Sequence, residues 1–233
     1  MMGSITESKP KIVAFVPMRH ESERVPRKNY RDLAGRPLYT YILETLQACP
    51  EIAEIVVDTD SPVIMDGLRQ DFPAIQILER PEALRGGEVD INRVLLHDVS
   101  VVEADFYLQT HSTNPLLRSE TVSRAVRSFL EVYPEKDSLF SVTRYQTRLW
   151  DAEGRAINHD PDHLIRTQDL PPLYEENSCL YIFERETFLR RQNRIGERPM
   201  LYPISRFEAL DIDEEFDFEM ARCMMQHRGR DWK

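Results

Sequence analysis

Cysteine is scarce in this chain: three in 233 residues (Cys49, Cys179 and Cys223), odd in number and without a C-x-x-C pair. That pattern excludes a disulfide frame and a cysteine-rich zinc site, and it fits reduced thiols. Positive charge is also in deficit, with 30 basic residues against 40 acidic ones and a net charge of −10. Nucleic acid and anionic membrane surfaces both demand a broad positive field, so neither is an expected partner. Long apolar runs are missing, and Ile12 to Val16 is far too short to cross a bilayer. The opening MMGSITESKP is polar and lacks the apolar core of a secretion signal, so residues 1–10 are expected to be flexible and the chain cytoplasmic. Two phosphate-binding fingerprints, G-x-x-x-x-G-K-[ST] and G-x-G-x-x-G, are absent as well.

What is present is an ordinary globular composition, 41% hydrophobic and 30% charged, enough for one substantial core. The β-branched and aromatic run Lys11 to Pro17 predicts a strand buried on both faces. Further strands are predicted at Glu54–Asp58, Ala74–Leu78, Asp105–Thr110, Ser138–Thr143 and Ser178–Phe183. Helical spacing falls at Leu38–Gln47, Pro62–Phe72, Asp90–Val102 and Ser119–Val132, with a short helix near Glu186 and a last one from Glu214 to about His227. Strands alternating with helices indicate an α/β fold, a three-layer Rossmann-like and mostly parallel sheet with helices on both faces. Residues 11–233 are therefore read as one domain. Its pattern breaks over Arg144 to Glu176, rich in Pro, Asp and His and too long for a simple connector, so this stretch is read as an inserted arm.

Ligands of an open α/β sheet sit beyond the carboxyl ends of its strands. Four polar clusters fall at such ends: the loop after the first strand, Asp58-Thr59-Asp60, His111 to Asn114, and Asp211 with Asp213. Between Arg19 and Arg36 stand six basic residues against three acids, a local positive patch suited to a small polyanion, or simply a solvated charged loop. Guanidinium groups grip phosphate oxygens in pairs, and an ammonium adds a point charge. Asp211 and Asp213, spaced i, i+2 on extended backbone, point the same way and can share one hard cation. Either could instead cap the helix that begins at Glu214.

The stretch R-x-x-S-x-R-x-P-x-K-N-x-x-x-L-A-G-x-P-L, beginning at Arg19, resembles the signature loop of the acylneuraminate (sialic acid) cytidylyltransferase family. Five further blocks are similar to that family's motifs and follow in its order. They are Val56 to Asp60, Arg80-Pro81-Glu82-Ala83-Leu84, Thr113-Asn114-Pro115-Leu116, Asn177 to Ile182 (family pattern N-G-A-I-Y-I) and Ala209 to Asp213. The resemblance implies a nucleotidyltransferase that attaches CMP from CTP to a small acidic acceptor and releases pyrophosphate. It implies that Arg19, Ser22, Arg24 and Lys28 bind the nucleotide, with Asn29, Asp60, Arg80 and Asn92 nearby, and that Asp211 and Asp213 hold Mg²⁺ (or Mn²⁺). Arg19, Lys28, Asp211 and Asp213 are accordingly the expected catalytic set. It also implies a homodimer in which residues 144–176 reach the second subunit.

On the acceptor side the likeness weakens. The family has a Gln where this chain has His111, and tends to have an Arg where this chain has Glu175. A carboxylate there repels an acidic substrate unless another cation intervenes, and Arg166, Arg144 and Arg148 are the expected suppliers. His111, Arg166, Glu175 and Asn177 are the expected acceptor residues, and the acceptor itself stays open among a nonulosonic acid, a related keto-acid sugar and a small phosphonate. The general base is open too, between a metal-bound hydroxide, His111 and none. Asp58-Thr59-Asp60 also satisfies the D-x-D pattern of a metal-dependent glycosyltransferase, and a nucleotide-binding module without turnover is a third reading. His159 and His163 have i, i+4 spacing, but Pro161 between them argues against a zinc-binding helix.

Overall fold

The computed structural model of the protein describes residues 9–226. Residues 1–8 of the expected flexible start, and His227 at the expected end of the last helix, lie outside the described residues. Seven strands form one sheet: β1 (Ile12–Phe15), β4 (Glu54–Thr59), β5 (Gln76–Glu79), β6 (Phe106–Gln109), β7 (Ser138–Tyr145), β8 (Leu173–Glu184) and β9 (Pro199–Pro203). Their spatial order is β5-β4-β1-β6-β8-β7-β9, and β8 alone runs against its neighbours. The sheet is thus mostly parallel, as the alternation of strands and helices predicts.

Alternation along β1 shows why helices cover both faces. Ile12 and Ala14 pack with α1 (Tyr39–Gln47), α2 (Pro62–Asp71) and α4 (Ser119–Val132), through side chains such as Ile42, Leu68 and Phe129. Val13 and Phe15 face the other way, onto Leu95 and Val99 of α3 (Ile91–Val101) and Phe188 of α5 (Arg185–Arg191). All four β1 residues are buried, so the two-sided burial read from the run of apolar residues holds.

Three features were not legible in the strand and helix periodicity. Residues 31–37 read as plain loop, yet Asp32–Leu33 (β2) and Arg36–Pro37 (β3) form a small hairpin. Its two turn residues, Ala34 and Gly35, both have positive φ (52° and 93°), the requirement of a twisted two-residue turn that Gly meets without strain. That hairpin supplies Leu33 to a third apolar cluster, with Val25, Leu38, Ile212 and Phe218 of α6 (Glu215–Met225). Strand β9 adds an edge parallel to β7. Finally, both ends of the stretch read as an inserted arm, 144–176, belong to the sheet, because the β7–β8 ladder continues out to Tyr145 opposite Leu173. Residues 146–172 lie outside that ladder.

Candidate active site

The loop after β1, the turn after β5, the loop after β6 and the segment before α6 meet over one end of the sheet and enclose a cleft of ≈320 Å³. Arg19, Ser22, Lys28, Asn29, Arg80, His111, Asp211 and Asp213 all line it. The long-range hydrogen bonds explain how residues nearly 200 positions apart are held there. Arg24 donates to Asp213 Oδ1 at 2.8 Å, and Lys28 Nζ donates to the Ile212 carbonyl at 2.5 Å while standing 3.5 Å from Asp213. Arg31 grips Glu215 through two bonds of 2.7 and 2.6 Å. Much of the basic loop is therefore docked on an acidic segment and is not merely solvated.

Asn29 is a tie within the site. Its Nδ2 donates to the Arg19 carbonyl at 2.7 Å, and its Oδ1 accepts from Ser112 Oγ at 2.7 Å, joining the loop after β1 to the loop after β6. Asp211 and Asp213 flank Ile212, which is fully buried in the third apolar cluster, so its anchoring fixes the backbone that presents the pair to the cleft. The capping duty goes elsewhere: Glu214 is the N-cap of α6, and Asp217 accepts from the Glu214 and Asp213 amides at 2.8 and 3.0 Å. Asp211 Oδ1 is buried with no hydrogen-bond partner among the described residues. Burial, with Asp213 nearby, holds the Asp211 carboxyl above the ordinary carboxylate range. A divalent cation would relieve both conditions, since it neutralises the pair and takes the orphaned oxygen as a ligand.

Arg80 lines the cleft but is 3% exposed and bonded to the buried Asp58 carboxylate. That pairing withdraws Asp58 from any shared metal site with Asp60, which itself accepts from the His20 amide at 2.7 Å and lines an adjoining cavity with Arg19 and Ser22. The D-x-D reading loses its first carboxylate. Behind Asp58 lies Asp98, fully buried, its carboxyl pushed up to about 9 by burial and by the Asp58 charge. The folded chain thus keeps a proton there that the unfolded chain releases in the ordinary carboxylate range. Stability from this group is whole below about pH 4 and is lost as pH rises towards 9. Asp98→Asn mimics the protonated carboxyl, and it is expected to stabilise the fold by about 1–2 kcal/mol at pH 8 and by less at pH 5. Thermal unfolding at the two pH values checks this; an equal or lower melting temperature at pH 8 would contradict it.

On the acceptor side the structure corrects several expectations. Arg166 is exposed on the 146–172 segment and bonded to Asp169 at 2.6 and 3.1 Å, and it is not part of this chain's cleft lining. Glu175 is exposed on β8 and accepts from the Tyr145 hydroxyl at 2.9 Å. Asn177 is buried, and Ser141 and Thr143 occupy its side chain. Asn92 does not line the cleft; its Oδ1 accepts from the Arg194 amide at 3.0 Å and positions that residue instead. His111 does line the cleft, but burial and the nearby Arg194 and Lys28 charges depress it to about 3. It is neutral at physiological pH and too weak a base to take a proton efficiently.

Arg194 and Ser178 are among the lining residues that escaped the sequence reading. Arg194 lies in a stretch with no motif, and only the fold brings it beside Gln109 and Tyr181. Ser178 has a φ of 57°, a conformation that favours Gly, at the bulge where β8 changes register against β7. The Gly of the N-G-A-I-Y-I pattern was the available signal for it.

The chain is similar to known proteins along most of its length. The chain is 29% identical over 238 residues to the CMP-N,N'-diacetyllegionaminic acid synthase of Legionella pneumophila, covering 93% of this chain and 97% of that one. It is 26% identical to the N-acylneuraminate cytidylyltransferase of Escherichia coli O18:K1:H7, covering 94% of this chain but 53% of that protein. It thus spans about half the length of the N-acylneuraminate cytidylyltransferases it matches. In fold it is similar to a CMP:2-keto-3-deoxy-manno-octonic acid synthetase solved with CTP, at a TM-score of 0.69 and 16% identity over 93% of this chain and 99% of that one. The sequence model of the cytidylyltransferases matches residues 13–228, nearly the whole length, and the chain belongs to that family.

Proposed function

We propose that this chain transfers CMP from CTP to a small acidic acceptor, a nonulosonic or keto-acid sugar, with release of pyrophosphate. The observation that carries this reading is the meeting of Arg19 and Lys28 with Asp211 and Asp213 around one cleft. The names of the relatives favour acceptors of this chemistry. In this reading Arg19, Arg24 and Lys28 bind the triphosphate and Ser22 lies beside it. Their charges offset what builds up on the departing pyrophosphate while an acceptor oxygen attacks the α-phosphorus. Asp211 and Asp213 would hold Mg²⁺ (or Mn²⁺), which when bound polarises the phosphate and screens the same charge. Asp60 and Arg80 shape the nucleotide side of the pocket, Arg80 through its Asp58 partner.

Pyrophosphate release with each of the four ribonucleoside triphosphates, across a panel of acidic sugars and a phosphonate, tests the assignment. CTP-specific release is expected. Consumption of a nucleotide sugar without pyrophosphate would instead favour a glycosyltransferase, and tight CTP binding without turnover a binding module.

We further infer a soluble cytoplasmic homodimer joined through 146–172. That segment carries Trp150, Ile157 and Leu164 at 51, 57 and 66% exposure, apolar side chains that a partner surface would cover. Light scattering at micromolar concentration is expected to give twice the 27.4 kDa chain mass. A purely monomeric protein would remove this element of the reading.

A further inference from the structure

The cleft cations differ in how far they are neutralised. Arg80 is bonded to Asp58, and Lys28 is shared between Asp213 and the Ile212 carbonyl. Arg194 is different: its side chain is 13% exposed, yet the nearest carboxylate oxygen, on Glu176, stays 3.8 Å away. Glu176 is itself bonded to the Tyr181 hydroxyl. A buried guanidinium without a close anion is costly unless a ligand supplies the charge.

Its environment holds it in one pose. The guanidinium lies 3.5 Å from the Tyr181 ring centroid, its NH1 donates to Gln109 Oε1 at 2.6 Å, and Asn92 Oδ1 fixes its amide. Because Gln109 presents its oxygen to Arg194, its amide nitrogen stands 3.0 Å from His111 Nε2 and donates there, which leaves His111 neutral with its proton on Nδ1. No second cation forms at His111 to share the anion. The Nε and NH2 donors of Arg194 make no hydrogen bond among the described residues, and together they form the side-on fork that matches a planar carboxylate.

We infer that Arg194, stacked on Tyr181 and held by Gln109 and Asn92, is the residue that binds the carboxylate of the acceptor. This rests on the CMP-transfer reading above and adds to it a cation within this chain's own cleft, whose lining includes Arg194 and not Arg166. It places the acceptor's acid group on the β6–β8 side of the cleft, while Arg19, on the loop after β1, faces the Gly86-Gly87 turn.

The test uses the full chain, CTP, and four acids named by the relatives' chemistry: N-acylneuraminic, pseudaminic, N,N'-diacetyllegionaminic and 2-keto-3-deoxy-manno-octonic acid, each beside its methyl ester. The wild-type protein is expected to turn over at least one acid and to reject its ester. Arg194→Met is expected to raise KM for that acid roughly 10- to 100-fold, the loss of one charge-assisted contact, while the Kd for CTP moves less than about threefold. Arg194→Lys retains the charge without the fork and is expected to fall between the two, which separates recognition from a general folding defect. If the wild type is active and both variants keep its KM for the acid, or if ester and acid react alike, the assignment of Arg194 is overturned and CMP transfer stands. If the wild type releases no pyrophosphate from CTP with any acid, the transfer reading falls and this inference falls with it.

Discussion

Asp211→Asn is expected to lower kcat/KM by at least about a hundredfold, with an unchanged circular dichroism spectrum. Asn keeps the volume and one carbonyl oxygen, so packing around the buried Ile212 is spared. What disappears is the negative charge. In the folded chain that charge is held against burial and against the neighbouring Asp213, a condition that a bound divalent cation would reverse. The apparent affinity for Mg²⁺ should therefore fall with the rate, and raised Mg²⁺ should recover part of it. Activity within a few-fold of wild type, in a correctly folded variant, would remove Asp211 from the site.

Arg19→Ala is expected to cost a similar factor, with a different signature. The Arg19 side chain is exposed and has no ion pair among the described residues, unlike Arg24 and Arg31 in the same loop. Its carbonyl, not its guanidinium, is what Asn29 holds, so the loop should keep its shape without the side chain. Removal of an exposed and unpaired group changes stability by no more than about 0.5 kcal/mol. A loss of a hundredfold or more in kcat/KM with the melting temperature unchanged would then reflect contact with transferring phosphate and not folding. Wild-type kinetics in this variant would contradict the role given to the loop.

Much of this site was legible before the fold was known, for specific reasons. The basic loop after β1 and the acidic pair at 211 and 213 are dense in charge and lie directly after or before strongly periodic segments, so their positions at element ends follow from the pattern. Local periodicity also gave the β1 strand and α4, because each is long enough or apolar enough to satisfy only one repeat. The hairpin at 32–37 escaped because two-residue strands have no period to read, and its Ala34-Gly35 turn is a weaker signal than Asn-Gly. On the acceptor side, residue type alone misled. Arg166 carries the right kind of charge and Glu175 stands where the family tends to have an Arg, but the 146–172 segment and β8 leave both exposed and paired with local partners.

Composition and order alone determined the fold class, the membership suggested by six motifs in sequence, and the charge of the two groups facing each other. These depend on short-range patterns, which survive without knowledge of the neighbours. Tertiary structure alone decided which charges are neutralised. Arg80 is paired with Asp58, whereas Arg194 lines the cleft 3.8 Å from the nearest carboxylate oxygen, and nothing in the residues around either position gives the distance to its counter-ion. The reason is physical: the state of a buried charge depends on the distance to its counter-ion and on the water removed around it, and both are set by strands and helices far away in the chain.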